Sequence, residues 1–281
     1  MDEKIGIIIP SYNQGRFLER TILSVLGNAR NANVEIALMD GGSTDESIEI
    51  IQKYKDRLTA WCSEADRGQA DAINKGIMRL PGCKYYMWLN SDDVFEDDMS
   101  VKKIADFAEQ GKYEVCYGLS HFIDEKGQVI GEYPVESYSY KKLGNRCFLS
   151  QPSVLFSKKA FDAVGPLNQE LKMCLDYEYW MRLAQKYDFG FLQEYIGCTR
   201  MYGETKTATM QEKHLCEAIV LLQHYYGRVP MRWIVSKMLT NYSGMWWTRL
   251  PKRLLTVLLL PARRNVIEKC MKGNSNVKNS L

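Results

Sequence analysis

The sequence predicts an α/β fold: a mostly parallel sheet with helices on both faces, followed by a helical, basic extension. Three observations carry this. Short apolar runs alternate with helical stretches through the first hundred residues, the order that buries a parallel sheet between helices. Each run ends in polar or acidic residues, the end at which open parallel sheets bind ligands. The charge is also divided: residues 1–227 carry 26 Lys and Arg against 33 Asp and Glu, whereas residues 228–281 carry eleven basic residues and one acid, Glu268.

The elements follow in order. Ile5 to Ile9 is an apolar run ended by Pro10, as in a buried parallel strand. Arg16 to Leu26 sets Phe17, Ile22, Val25 and Leu26 on one helical face. Val34 to Met39 is a second strand, closed by Asp40-Gly-Gly, and Ser43 or Thr44 is a candidate cap for a helix through Ser47 to Ile51. Leu58 to Cys62 reads as a third strand, and Gly68 to Leu80 as a third helix stopped by Pro81-Gly82. Tyr85 to Leu89 is a fourth strand, ending at Asn90-Ser-Asp-Asp93, and Glu96-Asp97-Asp98 reads as a solvated helix start. Beyond residue 110 the alternation loosens. Val115 to Phe122 and Val129 to Tyr133 suit a hairpin, Ser153 to Phe156 a strand, and Asp176 to Lys186 a helix. From His214 the pattern is helical and basic, which divides the chain into 1–213, in halves 1–110 and 111–213, and an extension 214–281.

Apolar residues at 46% and charged residues at 25% are ordinary for a globular protein with a real core. Eight cysteines contain no CxxC pair, so zinc-finger spacing is absent and they read as reduced thiols in a cytosolic protein. The start, Met1-Asp-Glu-Lys-Ile5, lacks a signal-peptide pattern. The Leu254–Leu260 run is far below the ~20 residues that span a bilayer. His121, His214 and His224 are spread widely and read as surface or core histidines rather than a ligand set.

Acids stand at successive strand ends: Asp40, then Glu64 and Asp66, then Asp92 and Asp93. One such acid is commonly a helix cap, but three strand ends in succession favour a shared site. Adjacent carboxylates repel unless a cation joins them, and hard oxygen ligands suit Mg²⁺ or Mn²⁺. The alternative for Asp92-Asp93 is a solvated turn with Asp93 capping a helix. In Asp66-Arg-Gly-Gln-Ala-Asp-Ala-Ile-Asn-Lys-Gly76, Gly68 lets backbone approach a ligand, and a helix N-terminus favours anionic groups.

These motifs together resemble the family 2 glycosyltransferases, which have the GT-A fold and an inverting mechanism. The resemblance runs through Ile7-Ile-Ile-Pro-Ser-Tyr-Asn13, Met39-Asp-Gly-Gly-Ser-Thr-Asp45, Asp66 to Gly76, Leu89-Asn-Ser-Asp-Asp93 and Leu175-Asp-Tyr-Glu-Tyr-Trp-Met-Arg182, and covers about residues 4–207. It implies that 1–110 is the nucleotide-binding half and 111–213 the acceptor half. Pro10 and Tyr12 would line the base pocket, and Asp40 would hydrogen-bond the base, usually uracil. Asp66, with the Gly68 loop, would hold the ribose side, Asn13, Asn74, Asp92 and Lys206 would also belong to the nucleotide-sugar site, and Asp92 and Asp93 match the family's metal-binding aspartates. Asn90 stands where the family often has Asp. Asp176 matches the usual base, with Glu178 as fallback, and the bare alternative is that Asp176 caps its helix. In Tyr202-Gly-Glu-Thr-Lys-Thr207, Lys206 and Thr207 are candidates for phosphate contact, a solvated loop is the alternative, and Tyr202 replaces the expected His.

The expected reaction is transfer of a hexosyl or N-acetylhexosaminyl group from a nucleotide-diphosphate sugar, usually a UDP-sugar, with Mn²⁺ or Mg²⁺. The style of the domain resembles bacterial enzymes that extend lipid-linked O-antigen or capsule glycans at the cytoplasmic membrane face. A sugar-phosphate nucleotidyltransferase would carry a Gly-rich, Arg-containing loop after the first strand, where Pro10-Ser-Tyr-Asn-Gln-Gly15 stands instead. A Rossmann dehydrogenase would need GxGxxG there. A catalytically inactive binding module is disfavoured by Asp92, Asp93 and Asp176. The basic extension, with Trp233, Trp246, Trp247 and Leu254–Leu260, suits an interfacial helix pair on an anionic membrane. Nucleic acid is not expected, because the acidic body would repel phosphate.

Overall fold

The computed structural model describes residues 3–205, 209–241 and 262–281. The chain forms two compact units. The first comprises Met1–Tyr140, Phe148–Gln169 and Leu183–Tyr202, and the second comprises Lys141–Cys147, Glu170–Arg182 and Gly203–Leu281.

The first unit opens with the expected alternation: β1 (Ile5–Ser11), α1 (Gly15–Asn28), β2 (Val34–Asp40), α2 (Ser47–Tyr54), β3 (Ala60–Ser63), α3 (Gln69–Arg79) and β4 (Tyr85–Trp88). Then come β5 (Val94–Phe95), α4 (Ser100–Gly111), β6 (Val115–Ile123), β7 (Val129–Glu132), β8 (Val154–Ser157), α6 (Lys158–Val164) and β9 (Gly190–Arg200), while most of α5 (Tyr140–Leu143) and of α7 (Leu175–Ala184), which interleave with them along the chain, belongs to the second unit. The sheet order is β3-β2-β1-β4-β8-β6-β9-β5, with β7 on β6. β1, β2, β3 and β4 pair in parallel, which brings the ends of the first four strands to one edge. Beyond β4 the sheet is mixed: β8 is antiparallel to β4 and β6, and β9 is parallel to β6 and antiparallel to β5.

Burial explains the alternation. Ile7, Ile9, Leu38 and Met87 from the strands meet Leu18, Ile22 and Val25 of α1 in one buried cluster. Each such side chain contributes roughly 1.5–3 kcal/mol on burial. On α3, a Cβ at Gly76 would lie 2.5 Å from Ile8 Cγ2, so the helix packs on β1 only because that position lacks a side chain.

Two local expectations are corrected. The start of α2 is served by Asp45, whose Oδ1 accepts from Ser47 N at 3.0 Å, and not by Ser43 or Thr44. Of the acidic run after β5, Asp97 serves the approach to α4 by accepting from Met99 N at 2.8 Å, but Glu96 turns inward to the His121 ring at 2.9 Å. α4 follows the helix start read at Glu96-Asp97-Asp98, whereas β9 was not anticipated, because Gly190–Arg200 lacks the clean alternation of a half-buried strand.

The second unit holds α8 (Gln211–Tyr226), α9 (Met231–Asn241), α10 (Arg263–Gly273) and α11 (Ser275–Ser280). Gly227 ends α8 in the left-handed region, φ 63°, as a helix-stopping glycine does. Leu215, Ile219, Leu222, Ile234, Val235 and Cys270 are buried within this unit. Trp233 is half-buried: its indole N–H donates to Asn145 O at 2.9 Å and its ring lies against Tyr177 and His214. Lys237 is buried and paired with Glu212. Trp246, Trp247 and Leu254–Leu260 lie outside the described residues. No helix among the described residues is long and apolar enough to cross a membrane.

Candidate active site

The first two strand ends are laced together. In register, Ser11 of β1 faces Asp40 of β2. Asn13 adopts φ 50°, a conformation that Asn tolerates better than most residues, and bonds across the gap. Its N–H donates to Ser43 Oγ at 2.8 Å, and its Oδ1 accepts from Thr44 N at 2.8 Å. Asp40 is buried, and its carboxylate accepts from Gly42 N, Ser43 N, Ser43 Oγ and Ser63 Oγ at 2.5–3.1 Å. Those donors make Asp40 the organiser of the Gly41–Ser43 turn. Pro10 is buried behind it, while the Tyr12 ring is 62% exposed.

Asp66 Oδ1 accepts from Gly68 N at 2.7 Å, and a Cβ at Gly41 would come within 2.9 Å of Asp66 Oδ2. The third strand end is thereby folded against the second. Gly68 sits at φ 112°, which favours glycine, and α3 starts immediately after it. Asn74 has a different place: its amide accepts from Leu167 N at 2.8 Å and donates to Leu167 O at 2.9 Å. It is a buried strut between α3 and the chain after α6.

The loop after β4 divides the two aspartates. Asp93 is 3% exposed; its Oδ1 accepts from Arg200 N at 2.9 Å and its Oδ2 from Asn90 Nδ2 at 3.1 Å. It caps no helix. Burial first, and then the neighbouring Asp92, push its pKa well above the ordinary carboxylate value. Asp92 is half-buried and its Oδ2 accepts from Tyr202 Oη at 2.8 Å. Asp92 is thus the carboxylate suited to a hard ion such as Mg²⁺ or Mn²⁺, with phosphate oxygens completing its shell, while Asp93 anchors the loop. Asn90 also accepts from Gln69 Nε2 at 2.6 Å, so its neutral amide links α3 to Asp93 where a third carboxylate would add repulsion.

Three residues hold this loop, of which the sequence marked only Tyr202, in place of an expected His. Thr21 of α1 donates to Ser91 O at 3.0 Å and Asp93 O at 2.7 Å. Arg200, at the end of β9, is buried and donates to Asp92 O at 2.7 Å and to Asp124 O and Glu125 O. Tyr202 also accepts from Gln14 Nε2 at 3.2 Å, and its ring packs on Phe17 at 5.1 Å. Burial and Asp92 raise the Tyr202 pKa, which keeps the phenol a donor. Lys206 and Thr207 lie outside the described residues.

Within the second unit, Asp176 stands in the first turn of α7 and accepts from Tyr177 N at 2.7 Å. Burial pushes its pKa from 3.8 to about 6. Glu178 is not an alternative base: it is buried, pairs with Arg182 through Nε and Nη2 at 2.9 Å each, and accepts from Tyr225 Oη at 2.6 Å. Glu217, also buried, accepts from the backbone N–H groups of Lys172, Met173 and Cys174 at 2.9–3.3 Å. It fixes the turn that presents Asp176. One signal pointed to it: an acid set among Leu215, Ala218, Ile219 and Leu222 breaks an apolar helix face.

The sequence model of the family described as Glycosyl transferase family 2 matches residues 6–165, more than half of the chain. The chain belongs to this family. The matched stretch includes β1 to β4 and the Asp92 loop. An uncharacterized glycosyltransferase of Rickettsia prowazekii is 28% identical over 222 residues, 73% of this chain and 66% of that protein. The chondroitin synthase of Escherichia coli is 24% identical over 203 residues, 71% of this chain and 29% of that protein. The chain spans between about a third and two thirds of the length of the first curated relatives it matches. Among solved structures, residues 1–349 of S. aureus TarS in complex with UDP-GlcNAc superpose with a TM-score of 0.66 at 14% identity, covering 99% of this chain and 91% of that one. The mannosyltransferase PcManGT of Pyrobaculum calidifontis, in complex with GDP-Man and Mn²⁺, gives 0.61 at 10% identity, with 99% and 87% covered. At these identities the likeness is one of fold, and that fold is GT-A.

Proposed function

We propose that this glycosyltransferase moves a hexosyl or N-acetylhexosaminyl group, with inversion, from a UDP-sugar to a hydroxyl of a lipid-linked glycan in surface-polysaccharide assembly. The observation that carries the donor half is the union of four strand ends at one edge, with Asp92 half-buried there and Asp93 buried. In this reading the exposed Tyr12 ring covers the uracil, the turn organised by Asp40 shapes the base pocket, and the Asp66–Gly68 loop meets the ribose. UDP-GlcNAc in the TarS structure and GDP-Man with Mn²⁺ in that of PcManGT support a nucleotide-sugar donor.

The acceptor oxygen attacks the anomeric carbon as the carbon–oxygen bond to the diphosphate breaks, and the hydroxyl proton passes to Asp176. A carboxylate poised near pH 6 suits that task, since it is ionised at neutral pH yet more basic than an ordinary Asp. Asp92 would hold the divalent ion, which when bound supplies positive charge for the leaving diphosphate. Thr21, Arg200 and Tyr202 keep Asp92 in place. Residues 1–213 form the transferase domain in this reading, and 214–281 a basic extension for an anionic membrane surface on the cytoplasmic side. Exposed Arg228, Arg232, Lys269, Lys272 and Lys278 support that surface.

Saturation-transfer NMR with UDP-glucose, UDP-galactose, UDP-GlcNAc, UDP-GalNAc and GDP-mannose, with Mn²⁺ present, tests the donor. One UDP-sugar should transfer saturation through uracil and sugar protons. Binding of GDP-mannose alone would overturn the uridine assignment.

A further inference from the structure

We propose that Glu96, His121 and Cys198 form a binding site for a zinc-class divalent ion, built from residues other than the Asp92 pair. The sheet register creates it. β9 lies between β6 and β5. His121 of β6 is the partner of Cys198 of β9, and paired residues project from the same face. On the other flank Glu96 N donates to Ile196 O at 3.0 Å, which places Glu96 two residues along from the Cys198 position on that face. Three residues far apart in sequence thus meet across three adjacent strands.

The ligand atoms are already gathered. Glu96 Oε2 lies 2.9 Å from His121 Nδ1 and 3.1 Å from Cys198 Sγ, and the three ligand atoms are all within 4.8 Å of one another. Zinc bonds of about 2.0–2.3 Å in tetrahedral geometry separate ligands by roughly 3.3–3.6 Å, so the shift required is a few tenths of an ångström for the two close pairs. Imidazole, carboxylate and thiolate are zinc's own ligand types, whereas Mg²⁺ avoids sulfur. The imidazole is also oriented: it stacks flat on Tyr195 at 3.8 Å and 7°, and Tyr195 Oη donates to Glu132 at 2.9 Å. The side chains of His121 and Glu96 are 17% and 25% exposed, giving the ion an entry and a fourth position for water.

Binding replaces shared protons with the ion. The Cys198 thiol releases its proton to solvent as the sulfur–metal bond forms, with no change of oxidation state. The consequence is mechanical. β5 follows directly on Asp93, and Arg200, two residues past Cys198, holds both Asp92 and Asp93. An ion joining β6, β9 and β5 braces the strands on which the Asp92 loop hangs.

Cobalt(II) is the probe, because a cobalt–thiolate bond gives a charge-transfer band in the near ultraviolet. The reduced, chelator-stripped full chain is titrated with Co²⁺. One equivalent should raise the band, Zn²⁺ should bleach it, and Zn²⁺ should raise the melting temperature. The band should persist in Asp92→Asn and in Cys216→Ser, disappear in Cys198→Ser, and require at least about tenfold more Co²⁺ in His121→Ala, the scale at which supporting ligands act. Absence of the band in the unmodified chain would overturn the site without reference to any variant. So would a band that survives Cys198→Ser, or one whose midpoint is unchanged in His121→Ala.

Discussion

Asp176→Asn removes the proposed base while preserving shape, and the structure gives the change two opposite signatures. The folded-state pKa of Asp176 is raised from 3.8 to about 6 by burial. Each unit corresponds to 1.36 kcal/mol, so above pH 6 the ionised carboxylate costs the fold up to about 3 kcal/mol, an upper bound because the group keeps some contact with solvent. The sign follows from the proton count. Below pH 3.8 the group is protonated in both folded and unfolded chains and contributes nothing. Between 3.8 and about 6 the folded chain holds a proton that the unfolded chain has lost, so stability falls as pH rises. Above 6 the cost is constant. Asn carries no charge, so the variant should be more stable than the parent at pH 7.5, by about 1–3 kcal/mol, and equal to it near pH 3.5. Turnover should fall by about 10²- to 10⁴-fold, the usual contribution of a general base. In the parent, turnover should rise tenfold per pH unit below about 6 and level off above it. Urea melts at the two pH values, with turnover and UDP affinity measured on the same preparation, check all of this. If Asp176 only served the start of α7, Asn would do so equally well, and near-parental turnover with unchanged stability at both pH values would refute the assignment.

Other outcomes follow from the same contacts. EDTA should abolish transfer and Mn²⁺ or Mg²⁺ restore it, and Asp92→Asn should remove the metal-dependent gain in UDP affinity seen by calorimetry. Arg200→Met removes the Arg200 donor from the half-buried Asp92 and Asp124 carbonyls, while Glu125 O keeps Arg20 Nη1 at 3.0 Å; the loss should cost up to about 1–3 kcal/mol and appear as a lower urea midpoint together with weaker UDP binding. Glu217→Leu should destabilise the chain by about 1–3 kcal/mol by stranding three backbone N–H groups, and lower turnover more than UDP affinity. The full chain should co-sediment with phosphatidylglycerol vesicles at low salt and be released at high salt, each exposed basic residue contributing roughly 1 kcal/mol; reversing Arg228, Arg232, Lys269 and Lys272 to Glu should abolish binding, and a parent chain that stays in the supernatant at low salt would refute the membrane reading.

The first four strands and the helices between them were legible because burial on both faces demands continuous apolar runs such as Ile5 to Ile9, and these are bounded by Pro10, Gly41 and Pro81. The acids at the strand ends were legible for the same reason, since a polar residue after such a run has to meet solvent, a turn or a ligand. Their division of labour was not. Asp92 and Asp93 are equivalent in sequence, and only the approach of Arg200 N, 107 residues away, sends one inward. Asp40 and Asn74 carry their polar atoms into turns and struts whose partners, Ser63 and Leu167, no local pattern reveals. Trp233 looked like an interfacial aromatic because its neighbours are basic, yet α9 packs its apolar face inside the second unit. Glu96, His121 and Cys198 were invisible as a set because strand register, and not sequence spacing, brings them together.

Slow donor hydrolysis followed by proton NMR reads directly whether a nucleotide sugar held at the edge that carries Asp92 is cleaved with inversion. With an α-linked UDP-sugar, Mn²⁺ and water in place of acceptor, the first sugar released should be the β-anomer, before mutarotation, with UDP formed in equal amount and both lost in Asp92→Asn. Release of the α-anomer first, or release undiminished in Asp92→Asn, would contradict the account.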